Sequence, residues 1–271
     1  MTLDEILARL DRNKQRLDAM RPLPPESLAS FRDWLRVEVT YTSNAIEGNS
    51  LTRQETGLVL EGLTIGGKPL RDHLEALDHA EAFDFMLDLA QGTSPFTEGD
   101  LRSIHHLVLQ RSAPQHAGRY RDIQVWIRGS AHMPPSPVEI PALMADLFRE
   151  FYAALPHEHP VSLVARFHAR LVHIHPFADG NGRTARLAAN FQLLRAGYPV
   201  AILLPDQAAR KGYFAALRYA DEGHFGPITR LFAEASARSA GMLLKGLEPA
   251  HEVEDSRKER RSDRADDGSD R

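Results

Sequence analysis

The residues best suited to chemistry lie together in one twelve-residue run. The run contains a histidine, an acid, two glycines and two arginines, in the order His175-Pro176-Phe177-Ala178-Asp179-Gly180-Asn181-Gly182-Arg183-Thr184-Ala185-Arg186. A histidine with a near-neutral pKa can accept a proton from a hydroxyl group. A carboxylate is a hard ligand for Mg²⁺, and glycines beside arginines favour phosphate binding. The run therefore predicts a site that holds a phosphate group and moves a proton beside it.

The order of the residues predicts a bend and then the start of a helix. Pro176 disfavours helical geometry at His175, so the imidazole is placed where one helix ends. Gly180 and Gly182 let the backbone turn and approach a ligand closely. The N–H groups at the start of the following helix can then bind an anion.

The other members of the run have separate expected roles. Arg183 and Arg186 are three residues apart, so they share a helix face and can both reach one polyphosphate. Asp179 is placed to hold Mg²⁺. Phe177, an apolar residue among polar neighbours, is predicted to insert into the core and anchor the loop. The alternative for any single residue is a glycine-rich turn with surface arginines and a buried histidine.

Composition limits the class of protein. The 271 residues are 42% hydrophobic and 26% charged, which suggests one large or two small domains of a soluble protein. A net charge of −4 provides no overall attraction to nucleic acid, and the absence of cysteine excludes disulfides. Neither a secretory signal nor a membrane-spanning stretch is visible. We expect a cytoplasmic protein that binds neither nucleic acid nor membrane.

Helical periodicity positions the run. Apolar residues at helical spacing predict helices over residues 1–22, 27–47, 70–91, 141–156, 161–174, 181–196, 211–221 and 227–247. Capping patterns start two more, one at Ser50 or Thr52 and one at Thr97. Alternation in residues 124–127, followed by glycine and prolines, predicts a β-hairpin. We expect an all-α bundle with a small β-hairpin flap. Its three parts are an N-terminal helical region (1–95), a core (96–247) and a disordered charged tail (248–271).

The central run resembles the signature of the Fic family, the fold shared with Doc-like proteins. It matches His-Pro-Phe-x-Asp/Glu-Gly-Asn-Gly-Arg-x-x-Arg at every defined position. The resemblance implies a Fic-type helical bundle that transfers AMP from ATP to a Ser, Thr or Tyr hydroxyl of a target protein, with Mg²⁺. The target can be the chain itself, and the resemblance is compatible with a homodimer.

The resemblance also implies roles for residues. His175 is the base and Asp179 holds Mg²⁺. The phosphate-binding positions are Gly180, Asn181, Gly182, Arg183 and Arg186. The phosphorylating Doc branch has lysine where this chain has Gly182, which favours transfer of a nucleotide over transfer of a phosphoryl group.

A second motif, Ser43-Asn44-Ala45-Ile46-Glu47-Gly48-Asn49, ends the second predicted helix. An acid at a helix C-terminus is repelled by the helix dipole, so Glu47 is expected to have a cationic partner. A plain surface glutamate is the alternative. The heptapeptide resembles the family's inhibitory motif, Ser/Thr-x-x-x-Glu-Gly/Asn. That resemblance implies that Ser43 and Glu47 belong to an inhibitory helix, and that Glu47 pairs with Arg186 and misaligns ATP.

Residues 118–135 resemble the family's flap, whose edge can hold an extended target segment beside the base. The expected docking residues are Val125, Ile127, Gly129, Ser130 and His132. An ordinary hairpin that covers the core is the alternative. No carboxylate or cysteine pattern surrounds His132 in the sequence, so no metal role is expected for it.

Downstream residues resemble the border of the family's adenine and ribose pocket. Tyr213 and Phe214 match an aromatic pair, whereas Asp221 stands at an asparagine position and cannot donate a hydrogen bond as asparagine does. Asn190 either faces the nucleotide or fills a gap in the packing. His168 is expected to be structural rather than a zinc ligand.

Three other functions stay open. The first is transfer of another nucleotide such as UMP or GMP, since the phosphate-binding residues do not read the base. The second is a hydrolase that uses Glu47 to remove AMP from a modified target. The third is a non-enzymatic regulatory module.

Overall fold

The computed structural model of the chain describes residues 1–127, 130 and 132–266, and for residues 248–266 it describes the backbone only. Two short 3-10 turns occur, at Pro114–His116 and Pro137–Glu139. The α-helices of this part of the chain are α1 (Leu3–Ala19), α2 (Pro25–Ile46), α3 (Arg53–Leu60), α4 (Leu70–Gln91), α5 (Glu98–Leu109), α6 (Ile140–Ala154), α7 (Pro160–Ile174), α8 (Asn181–Arg195), α9 (Gln207–Asp221) and α10 (Gly226–Asp266). The predicted all-α class is confirmed.

Capping side chains set several helix starts. Thr52 begins α3 and Thr97 begins α5, each in a reciprocal capping box with the acid three residues later, as the sequence predicts. α9 begins at Gln207, earlier than the predicted residue 211. The reason is Asp206, whose carboxylate accepts hydrogen bonds from two N–H groups of the first turn.

The helices pack around the pair that carries the central run. α7 packs on α8, α4 and α5 pack on α8, and α6, α9 and α10 pack on α7. α1 lies against α10, and α2 contacts both α4 and α8. One buried cluster includes Leu10 of α1, Phe83 of α4 and Phe191 of α8. Residues on both sides of the predicted boundary at residue 95 therefore share one core.

The predicted β-hairpin is wrong for the described residues of the flap segment, which we define as residues 118–136. No strand forms among them. Hydrogen bonds from side chains hold the segment together in place of backbone pairing between strands. Gln124 Nε2 donates to the Pro134 carbonyl at 2.9 Å, and Arg121 donates to the carbonyls of Ile123 and Pro135 at 3.0 and 2.6 Å. Pro134 and Pro135 have no N–H group, so they cannot complete a strand pair.

The predicted disordered tail differs from the structure over most of its length. The backbone of α10 is helical as far as Asp266, and the rest of the tail lies outside the described residues. In this stretch the sequence places Glu254 four residues before Lys258, a spacing that favours helix without an apolar face. None of the helices in the described residues combines the length and the apolar character that a membrane span requires.

Candidate active site

Two left-handed backbone residues shape the loop between α7 and α8. His175 ends α7 with φ 50° and ψ 57°, and Gly180 precedes α8 with φ 75° and ψ 3°. Among the described residues, His175 is the only non-glycine with a positive φ. Pro176 excludes helical continuation, so the bend predicted at His175 is confirmed.

Phe177 anchors the loop, as predicted. Its ring is fully buried and stacks on His105 of α5, with ring centroids 3.6 Å apart. His105 Nε2 lies 3.0 Å from the carbonyl of Asp179, and His105 Nδ1 accepts a hydrogen bond from the N–H of Gly118. Burial lowers the pKa of His105 to about 4. A neutral His105 thus joins the loop to the flap segment.

Asn181 braces the same loop from the first position of α8. Its side-chain oxygen accepts from the N–H of Phe177 at 3.0 Å, and its side-chain nitrogen donates to the Phe177 carbonyl at 2.8 Å. Asn181 is a predicted phosphate-binding residue, but both ends of its side-chain amide are engaged by the loop. Its backbone N–H is therefore the group left for the predicted phosphate binding.

Arg121 holds the loop from the other side. This arginine is buried, and its Nε donates to the carbonyl of His175 at 2.8 Å while its backbone N–H donates to the carbonyl of Pro176. The rest of its guanidinium bonds to the flap segment. One side chain therefore fixes the base loop and the flap segment relative to each other.

His175 is set up to accept a proton. Its Nδ1 lies 3.3 Å from the carbonyl of Val172, which can only accept, so the Nδ1 carries the hydrogen and the Nε2 lone pair is free. Burial lowers the pKa of His175 to about 4, against the opposing effect of the Val172 hydrogen bond. The imidazole is consequently neutral at pH 7.

Glu47 contacts Arg186, as the sequence predicts. Arg186 donates from its NH2 nitrogen to Glu47 Oε1 at 2.7 Å and to the Ser43 carbonyl at 2.9 Å, and its Nε donates to Ser43 Oγ at 3.0 Å. Burial alone would lower the pKa of Arg186, but the carboxylate of Glu47 and the hydroxyl of Tyr213 together outweigh it and hold that pKa above the ordinary value. Ser43 and Glu47, at the two ends of the predicted inhibitory motif, thus both bind Arg186.

Gly182 lies directly under the Glu47 carboxylate. A Cβ atom added at this position would overlap Glu47 Oε1 and lie 3.2 Å from Glu47 Cδ and 3.0 Å from Arg186 NH1. That NH1 nitrogen is buried and has no hydrogen-bond partner among the described residues. The carboxylate and the guanidinium meet over the first turn of α8, where the predicted phosphate site lies.

Asp179 and Arg183 are joined to α4 as well as to each other. Arg183 NH2 lies 3.2 Å from Asp179 Oδ1, and Arg183 NH1 lies 3.4 Å from Glu75 Oε1. Arg71 NH2 donates to Asp179 Oδ2 at 3.0 Å, and the N–H of Gly180 donates to Asp179 Oδ1 at 2.6 Å. Arg183 is buried, so its contact with phosphate requires this network to rearrange.

The carboxylate of Asp179 suits a magnesium ion. The Asp179 side chain is 38% exposed, and it supplies the carboxylate oxygens that Mg²⁺ prefers beside the expected phosphate position. Arg71 already donates to one of these oxygens, Oδ2. Arg71 is therefore a competitor for the predicted metal ligand.

A cavity of about 390 Å³ opens beside the base. Residues from the predicted inhibitory helix, flap, base loop and nucleotide pocket line it, including Glu47, Ile127, Ser130, His132, His173, His175, Gly182, Tyr213, Phe214 and Asp221. Arg183, Arg186 and Asp179 are not among its lining residues. Val125 does not line it either, and Gly129 lies outside the described residues.

The predicted nucleotide-pocket residues have two different positions. Tyr213, Phe214 and Asp221 line the cavity, and the Tyr213 hydroxyl lies 2.9 Å from His168 Nε2. His168 is fully buried, and burial lowers its pKa to about 3, in agreement with a structural role. Asn190 is also buried and exchanges two hydrogen bonds with the backbone of Ala201, so it fills the packing rather than facing the cavity.

Sequence reasoning missed Arg71, His105 and Arg121 as parts of the site. His105 lies on the apolar face of α5, where a buried polar residue was the available signal. Arg121 bonds to His175, which is 54 residues away, and Arg71 to Asp179, which is 108 residues away. Separations of this size carry no spacing pattern.

The sequence model of the Fic/DOC family matches residues 95–193, which include the base loop and the start of α8. Among curated proteins, the chain is similar to Protein adenylyltransferase Fic of Nematostella vectensis, at 35% identity over 241 residues. That alignment covers 87% of this chain and 55% of the relative. The protein of the same name from Drosophila willistoni is 34% identical, with 90% and 48% covered. The chain thus spans about half the length of these relatives.

Solved structures share the fold. A Fic-domain-containing signaling protein from Bacteroides thetaiotaomicron VPI-5482 superimposes with a TM-score of 0.81 at 28% identity, covering 89% of this chain and 98% of that one. Fic-1 from C. elegans superimposes with a TM-score of 0.80 at 28% identity, covering 92% and 73%. The likeness covers about nine-tenths of this chain and so extends beyond residues 95–193.

Proposed function

Because this chain belongs to the Fic/DOC family, we propose that it is a protein adenylyltransferase that moves AMP from ATP to a Ser, Thr or Tyr hydroxyl of a target protein. The observation that carries the proposal is a shared cavity. His175, with a free Nε2 lone pair, and Gly182, in the first turn of α8, line the same space. That space can bring a hydroxyl, a base and a phosphate together.

The residues of the loop supply the proton transfer. The acceptor hydroxyl gives its proton to His175 Nε2 as its oxygen attacks the α-phosphorus of ATP. The bond from that phosphorus to the bridging oxygen breaks, and pyrophosphate leaves. The low pKa of His175 keeps the imidazole in its neutral, proton-accepting form.

The start of α8 supplies the phosphate binding. Its first N–H groups have no partner within the helix and carry the positive end of the helix dipole. Arg186 adds a cation in the next turn, with its NH1 nitrogen available. Mg²⁺ held by Asp179 neutralises part of the phosphate charge when it is bound.

Glu47 inhibits the transfer in this proposal. Its carboxylate is bonded to Arg186 and lies over Gly182, so it occupies space beside the predicted γ-phosphate position. Two like charges 4 Å apart repel by about 4 kcal/mol at an effective dielectric constant of about 20. ATP can then bind only with its phosphates displaced from the alignment that attack at the α-phosphorus requires.

Intact mass spectrometry after incubation with ATP and Mg²⁺ tests this function. The Glu47→Gly protein should gain AMP on itself or on an added target, at a rate at least about tenfold above that of the unchanged protein. His175→Ala in the same background should abolish the gain.

Glu61 provides a matched control for Glu47. It is an exposed glutamate at the C-cap of α3, so Glu61→Gly removes an acid from a helix end without touching Arg186. Its transfer rate should equal that of the unchanged protein. If the Glu47→Gly protein forms no adduct with ATP but forms one with GTP, UTP or CTP, the transferred nucleotide is not AMP.

A further inference from the structure

Three side chains from separate elements converge at one edge of the cavity. They are His132 of the flap segment, His173 of α7 and Asp221 of α9. One ligating atom from each lies within 4.8 Å of the others. The imidazole rings of His132 and His173 have centroids 4.1 Å apart, and His173 Nδ1 lies 2.8 Å from Asp221 Oδ1. None of the three is required for the proton transfer to His175.

Two imidazoles and one carboxylate form a donor set for Zn²⁺. Magnesium and calcium prefer oxygen ligands alone, whereas Zn²⁺ binds histidine nitrogen and carboxylate oxygen at about 2.0–2.2 Å. In tetrahedral geometry such ligands lie about 3.4 Å apart. The donor atoms of His173 and Asp221, now 2.8 Å apart, must separate by roughly 0.6 Å, and donor atoms up to 4.8 Å apart must approach by at most about 1.4 Å. We propose that His132, His173 and Asp221 form a zinc-binding site that ties the flap segment to α7 and α9.

The hydrogen bonds around His132 support this assignment. Its Nε2 lies 2.8 Å from the carbonyl of His173, so Nε2 carries the hydrogen and the Nδ1 lone pair is free to bind a metal. Histidine ligands commonly donate their other N–H to a carbonyl in this way, because it fixes the ring orientation. The backbone N–H of His132 donates to Ser130 Oγ at 3.1 Å, which restrains the residue further.

The pair of His173 and Asp221 can exchange its shared proton for the metal. The hydrogen on His173 Nδ1 moves to Nε2 of the same ring, and the vacated nitrogen and the carboxylate oxygen then both face the ion. No electron is transferred, and the fourth position stays open for water. Binding therefore needs only free Zn²⁺.

Three cationic side chains, Arg210, Lys211 and Arg218, line the same cavity, but among the described residues none of them forms an ion pair with Asp221. Arg210 Nε donates to the carbonyl of Ile46 at 2.7 Å and its guanidinium lies over the ring of Phe214. The carboxylate of Asp221 faces His173 instead. The three donors are thus free to converge on an added ion. This proposal departs from the sequence expectation that His132 has no metal role, because its two partners, His173 and Asp221, lie 41 and 89 residues further along the chain.

Metal titration of the full chain, free of any affinity tag and stripped with EDTA, tests the site. Zn²⁺ competed against a chromophoric chelator should bind with one tight equivalent per chain, and Co²⁺ should give visible d–d absorption bands. His173→Ala and Asp221→Ala should each weaken binding at least about tenfold. The matched control His157→Ala, which removes an exposed histidine of the α6–α7 connection, should change nothing.

The fluorescence of Trp126 gives a second readout at the flap segment. This indole is 74% exposed, while Trp34 stacks on Phe31 in α2. In a Trp34→Phe background, Zn²⁺ should shift the Trp126 emission, and His132→Ala should remove the shift. Binding that survives removal of all three side chains, or the absence of a tight equivalent in the unchanged protein, would overturn the site. Both readouts are independent of AMP transfer.

Discussion

Replacing Gly182 by alanine should destabilise the protein only while Glu47 is present. The new Cβ atom would overlap Glu47 Oε1 and lie 3.2 Å from Glu47 Cδ, so the carboxylate must move away. That movement breaks its 2.7 Å contact with Arg186, whose side chain is 6% exposed. Solvent partly compensates Glu47, which is 37% exposed, so we expect a loss of about 1–3 kcal/mol in the free energy of unfolding.

The same substitution should be neutral or stabilising once Glu47 is replaced by glycine, because Arg186 NH1, 3.0 Å from the new Cβ, can then move into the space that the carboxylate leaves. Gly182 lies in the first turn of α8, where alanine is favoured over glycine by up to about 1 kcal/mol. The coupling energy of the double-mutant cycle is then about 1–4 kcal/mol. For a chain of this size, each kcal/mol corresponds to a shift in Tm of about 2–4 °C.

Urea and thermal denaturation of the four proteins measure this coupling. Gly241→Ala is the matched control, because a Cβ atom at this glycine of α10 meets nothing within 4 Å. It should stabilise both backgrounds equally. Equal effects of Gly182→Ala in the two backgrounds would refute the placement of the Glu47 carboxylate over α8.

Two further predictions concern the arginines that hold the loop. Arg71→Ala in the Glu47→Gly background should lower the Mg²⁺ concentration for half-maximal AMP transfer several-fold, since Asp179 loses a competing cation. The control Arg149→Ala, which changes an exposed arginine, should leave that concentration unchanged. The same concentration in the Arg71→Ala protein would contradict this competition. Arg121→Lys should lower Tm by about 5–10 °C, because lysine cannot donate in the planar fork that reaches three carbonyls. An unchanged Tm in differential scanning calorimetry would exclude this brace.

Local signals in the sequence were sufficient to place most helices. Thr52 and Thr97 each stand three residues before an acid, and this spacing specifies a helix start without any tertiary contact. Pro176 and Gly180 define the loop for the same reason. Local signals did not predict the structure of the flap segment. Its alternating residues favour a strand, but side-chain bonds from Gln124 take the carbonyls that a partner strand would have used.

The contacts within the site join residues that are distant in the sequence, so local signals do not predict them. The contact between Glu47 and Arg186 could be predicted because both residues lie in segments that resemble motifs of the Fic family, although 139 residues separate them. The contact of Arg71 with Asp179 belongs to no such motif and was not foreseen. The convergence of His132 and Asp221 likewise depends on how α7 and α9 pack, which helical periodicity does not encode.

The position of Glu47 at the C-cap of α2 has a consequence for reversibility. The negative end of the helix dipole repels the carboxylate by about 0.3–1 kcal/mol, so the helix that delivers Glu47 also weakens its hold on Arg186. The contact between Glu47 and Arg186 is therefore easier to break than it would be without the helix dipole. In the proposed inhibition, a ligand that binds the form without this contact a few kcal/mol more tightly would separate Glu47 from Arg186, and its dissociation would restore the contact.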